Sequence, residues 1–321
     1  MRHSLSNSYC RIFSLCSSLS LLFLWLFNSA FTIEAKDIAE SFMRFMAKDN
    51  SYSCEGDRFK ATCSAPKIMI ANDSTSTTAI KNLKITTALN NKNASFHMSG
   101  NIQITDQEIT ATQKPFLPQR FQCSTQYSVQ KVTMAQEINC QIDSSIYTLL
   151  LNNLLDIQSE NFQSKNFDEI IDSLATISEN TTEKELKNIL SKFRVNPKQI
   201  TIQLKGSKLG DSLFQAMKTT QPDMTRESYN STIALGAAMI PASLAQFKEI
   251  TSETNANLSK AGGAIADVLI SRKESAKITL KRKTTTPLNF ADLPAFIQKA
   301  DSNIEYLLAI LNDYQITSST E

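Results

Sequence analysis

From Ser51 to Ser145 apolar and polar residues alternate with period two, the spacing of strands with one buried face. Leu83, Ile85, Thr87 and Leu89 share one face of a strand, and Phe96, Met98, Gly100, Ile102 and Ile104 share a face of the next. Asn90-Asn91-Lys92-Asn93 lies between them, and asparagine accepts the positive φ of a tight turn, so the two form the clearest hairpin in the chain. Lys67 to Ala71 (KIMIA) and the series Phe121, Cys123, Thr125, Tyr127 and Val129 continue the strand pattern.

From Ile146 onward the period becomes helical. Phe167, Ile170, Ile171, Leu174 and Ile177 form one stripe, and Leu186, Ile189, Leu190 and Phe193 another, with Thr182 and Glu185 as a capping box. Ile233 to Leu244 (IALGAAMIPASL) is Ala/Gly-rich and uncharged; it suits a tightly packed central helix or one wall of an apolar groove. Two short strands, Lys198 to Lys205 and Lys277 to Lys281, interrupt the helices. The expected fold class is α+β. A helix and a disulfide-stapled antiparallel β region over residues 31–145 precede a mainly helical region with two short strands over 146–321. The two regions form either separate domains or one.

The N-terminus changes the setting. Arg2, His3 and Arg11 precede an uncharged apolar run from Ile12 to Phe27, and Asn28-Ser29-Ala30 offers small residues for cleavage. Residues 1–30 therefore read as a secretory signal peptide, and the chain as exported. The alternative, an uncleaved signal holding the protein in the inner membrane, needs about 20 apolar residues, more than the run supplies. Without residues 1–30, Arg2 and Arg11 leave, and 33 basic against 31 acidic residues become 31 of each. A neutral chain is not steered to nucleic acid. Cys10 and Cys16 also leave, and the four remaining cysteines read as two disulfides. Gly56-Asp57 offers a turn that favours sequential pairing, Cys54 with Cys63 and Cys123 with Cys140, while crossed pairings stay open.

Candidate chemistry is sparse. His97 is the one histidine past the signal, and Ser95 and Ser99 share its face of the strand, which makes a Ser–His arrangement or simply a polar outer face. No G-x-S-x-G elbow, paired histidines, H-E-x-x-H, C-x-x-C or phosphate-binding glycine loop occurs, so neither a metal nor a cofactor is expected. Lys277, Lys281, Arg282 and Lys283 are the densest charge, fit either to meet an anion or lipid headgroup or to guard an edge strand against aggregation. The expectation is a non-catalytic, exported protein of the periplasm. Its partner would be an apolar ligand, a membrane surface or another envelope protein. The alternatives are a hydrolase of envelope material with His97 as base, and a self-associating scaffold.

Overall fold

The computed structural model describes residues 34–47, 51–72, 76–106, 109–163, 165–167, 169–170, 183–292 and 303–321. The signal sequence, Thr182 and the positions Ile171, Leu174 and Ile177 lie outside them. A first helix, α1 (Ala35–Met46), buries Ala35, Ile38, Ala39, Phe42 and Met43, the i, i+3, i+4, i+7, i+8 stripe of an amphipathic helix. Five strands follow: β1 (Ser53–Gly56), β2 (Lys60–Asn72), β3 (Ser76–Leu89), β4 (Asn93–Asp106) and β5 (Arg120–Gln130). Six more complete the sheet: β6 (Thr133–Asp143), β7 (Thr148–Gln158), β8 (Arg194–Lys205), β9 (Ser275–Arg282), β10 (Leu288–Asn289) and β11 (Tyr314–Thr320). All eleven belong to one antiparallel sheet in the order β1 to β9 and then β11, with β10 paired to β8. The Asn90 side chain accepts from the backbone N–H of Lys92 (3.2 Å) and Asn93 (3.0 Å), closing the turn between β3 and β4.

This overturns the expected fold class. The second half of the chain is not a mainly helical region with two short strands, because β7, β8, β9, β10 and β11 carry the same sheet through it. In β7 (TLLLNNLLDIQ) the leucines fall on both faces, so period-two alternation is lost and the run reads equally well as helix. β11 (YQITSST) carries a single aliphatic residue and gives almost no apolar signal. Nor do both disulfides belong to an N-terminal unit. Cys54–Cys63 joins β1 to β2 at one edge, and Cys123–Cys140 joins β5 to β6 in mid-sheet.

Directly opposed residues share a face, and the register therefore assigns every side chain. Cys63, Ile85, Met98, Cys123 and Cys140 form one row across β2 to β6, all buried. The row continues through Leu151, Ile202 and Ile278. α1 lies on this apolar face over β2 and β3, with the Phe42 and Phe96 rings 4.3 Å apart. A glycine is required beneath: a Cβ on Gly100 would stand 2.6 Å from Ile80 Cγ2 and 3.1 Å from the Phe121 ring.

α2 (Glu183–Leu190) precedes β8, and α3 (Leu209–Thr220), α4 (Arg226–Ala245) and α5 (Ser252–Leu269) lie between β8 and β9. α5 packs on β9 and β11, and Val268 joins Leu209, Ala264 and Ala276 in a second, smaller core. Thr225 and Thr251 cap α4 and α5 by accepting from Ser228 N–H (3.1 Å) and Thr254 N–H (3.2 Å). The uncharged stretch Ile233 to Leu244 is not a central helix. α4 packs along α5, and Leu235 and Met239 are 62% and 56% exposed.

Among the described residues no helix is long and apolar enough to cross a membrane. Two disulfides fit an exported chain folded in an oxidising compartment. Replacing both Cys123 and Cys140 by Ala releases a loop of 17 residues and is expected to lower stability by about 3 kcal/mol, read from urea unfolding midpoints.

Candidate functional site

The face opposite the apolar one is mostly polar, with Leu150 and Leu154 of β7 as apolar exceptions. One of its rows runs Ser64, Lys84, Ser99, Gln122, Gln141, Leu150, Gln203, Lys277; the next runs Thr62, Thr86, His97, Ser124, Asn139, Asn152, Thr201, Thr279. Amides and hydroxyls bond across the strands: Asn152 donates to Asn139 Oδ1 at 2.8 Å, and the Thr201 and Thr279 hydroxyls meet at 3.3 Å. A hollow of about 390 Å³ opens over β5 to β9, lined by Gln122, Asn139, Gln141, Gln203 and Lys277. Neutral amides and hydroxyls make up most of its lining, beside Cys140, Leu150, Leu151 and Lys277.

Charge is concentrated at both flanks of this floor. Lys60, Lys67, Lys81 and Lys84 project from β2 and β3, and Lys205, Lys277 and Lys281 from β8 and β9, all exposed. None of the seven forms an ion pair among the described residues. Lys67 and Lys81 stand directly opposite each other, an arrangement that destabilises a sheet. Lys81 and Lys84, three apart, reach one face because a bulge lies between them, with Asn82 at φ 53°. Three acids of this face, by contrast, are engaged, while Glu55 on β1, opposite Thr62, is exposed. Arg120 donates to Asp143 at 2.9 Å, Lys198 meets Asp156 at 2.6 Å, and Glu137 accepts from Asn139 at 3.0 Å. Lys198 is the extra residue of a bulge in β8, beside Pro197, which has no N–H to give a ladder.

The basic cluster read from the sequence is divided. Lys277 and Lys281 join the polar face, whereas Arg282 donates to Asn196 Oδ1 (3.2 Å) and Lys283 pairs with Glu253 (3.4 Å). β9 lies between β8 and β11, so Lys277 and Lys281 do not guard an edge. The other five lysines escaped the sequence reading because no run of charge marks them; only strand pairing gathers them. His97 stands opposite Thr86 and Ser124, with Ser95 and Ser99 about 7 Å along its own strand, beyond hydrogen-bonding reach. Among the described residues no three His, Cys, Asp or Glu side chains converge to hold a cation.

Burial alone disfavours the Asp143 carboxylate, but hydrogen bonds from Gln141, Thr148 and Arg120 outweigh it and hold its pKa below the usual carboxylate value. A depressed folded-state pKa contributes stability that is present above the unfolded value, near 3.9, and is lost as pH falls through the folded one. Arg120→Ala is therefore expected to move the Asp143 titration upward in ¹³C NMR and to reduce the stability lost as pH falls from the unfolded value to the folded one. No protein-family model matches this chain, and no curated protein matches it.

Proposed function

We propose that the protein is a non-catalytic binding protein of the bacterial periplasm that works at an anionic lipid surface of the envelope, meeting headgroups with the polar face of its sheet. The observation that supports this most directly is the set of seven exposed lysines on that face that form no ion pair among the described residues. They belong to a chain whose 31 basic and 31 acidic residues balance once the signal is removed. Of the strands that carry them, β3, β8 and β9 are interior, so protection of an edge does not account for the charge. Basic residues near an anionic leaflet contribute about 1 kcal/mol each, enough together to hold a neutral protein there.

Phe59 favours lipid over a soluble polyanion. It is 60% exposed at the β1–β2 turn, between Arg58 and Lys60, and Arg58 lies 5.8 Å from its ring centre. Asp57 fixes that turn by accepting from the N–H groups of Phe59 (2.8 Å) and Lys60 (2.9 Å), which hold its carboxylate pKa down. An aromatic ring displayed among basic residues suits the headgroup layer.

Sedimentation with vesicles tests the reading. The mature protein is expected to pellet with phosphatidylglycerol vesicles, to be released by salt, and to ignore pure phosphatidylcholine. Lys277→Gln combined with Lys281→Gln should weaken the partition by about fivefold per lysine. Equal partition to both lipids, or binding to soluble polyphosphate with none to vesicles, would contradict it.

A further inference from the structure

The apolar face is not uniformly covered. On β2 to β6 the side chains of its central row are buried, but on β7, β8 and β9 they remain partly exposed although these strands are interior. Leu151 and Leu155, Ile200 and Ile202, and Ile278 and Leu280 form this aliphatic block, placed on one face by their register. Three strands wide and five residues long, it measures about 10 Å by 14 Å. That is far below the roughly 800 Å² each partner contributes to a stable protein interface, and it suits a single alkyl chain.

Two polar atoms stand within the same surface. Asn153 lies between Leu151 and Leu155 and opposite Ile138 and Ile200, and its Oδ1 is buried without a hydrogen-bond partner among the described residues. Gln136, opposite Leu155 and diagonal to Asn153, is 3% exposed. Its Nε2 donates to the Tyr127 hydroxyl at 2.7 Å, while its Oε1 is also buried and unmatched. Buried amide oxygens are almost always satisfied, and two unmatched ones on adjacent strands, facing aliphatic side chains, form the acceptor half of a recognition site. An apolar floor with a few placed polar groups is the usual composition of a small-molecule site.

We infer that the β7–β9 block binds a long-chain amphiphile whose head carries a hydrogen-bond donor, a hydroxyl or amide N–H, with Asn153 and Gln136 as the acceptors. This site lies on the opposite face from the lysines, and its failure would leave the headgroup reading untouched. The alkyl chain lies along the leucines and isoleucines, and the donor reaches the Asn153 Oδ1. A ligand of equal length without a donor leaves that oxygen unmatched and binds more weakly.

Isothermal titration of the mature protein with 1-dodecanol and with dodecyl methyl ether decides the point. The alcohol is expected to bind about tenfold more tightly than the ether, the difference one buried hydrogen bond makes. Asn153→Leu should abolish the preference while keeping binding and a cooperative thermal melt, and Ile202→Ser should weaken both probes alike. Failure of both probes to bind, or an undiminished preference in folded Asn153→Leu, would overturn the inference. Should Asn153→Leu not fold, the wild-type ratio decides: an ether bound as tightly as the alcohol overturns it.

Discussion

Register between neighbouring antiparallel strands is the constraint on which everything else here rests. Side chains alternate faces with period two, so a slip of one residue anywhere in the ladder would exchange the apolar and polar faces beyond that point. The cross-strand pair Cys123–Cys140 fixes the centre of the ladder covalently, and the row through Met98, Ile85 and Cys63 on one side and Leu151, Ile202 and Ile278 on the other follows from it. The core under α1 and the lysines on the far side are two outcomes of a single parity. Bulges then adjust that parity locally. The one in β3 brings Lys81 and Lys84 to the same side, and the one in β8 accommodates Pro197 and delivers Lys198 to Asp156.

How much of this was legible in the sequence follows from the same physics. The β3–β4 hairpin stands out because its two faces differ sharply: Phe96, Met98 and Ile102 are buried while Ser95 and Asn101 face water. β7 hides because Leu150 and Leu154 occupy the polar face and Asn153 the apolar one, which removes the contrast that periodicity detects. β11 hides because its strand character comes from pairing with β9, not from hydrophobicity. The site residues divide along the same line. Lys277 and Lys281 are close in sequence and show as a run of charge, whereas Lys67 and Lys81 meet only through pairing. Asn153 gives no local sign at all, since an asparagine among leucines becomes informative only once its oxygen is known to be buried.

The two faces carry opposite kinds of thermodynamic cost. Opposed Lys67 and Lys81 repel, though screened by water and salt. The unmatched oxygens of Asn153 and Gln136 are desolvated where screening is weak. A sheet tuned only for stability would place an acid against Lys81 and a leucine at position 153. Polar groups that work against the fold on an otherwise consistent framework mark where the chain answers to something besides folding.

The sequential order of the strands also has a mechanical side. A meander pulled from its ends peels one hairpin at a time, each step breaking only the bonds of a single strand pair. The covalent crosslink between β5 and β6 acts as a rivet in the middle of that zipper. Force applied at one end can strip strands as far as the rivet and no further by simple peeling, so the sheet divides under load into two segments that unravel independently. Only the hairpin enclosed between Cys123 and Cys140 lies off the path of the force, and it would outlast both segments.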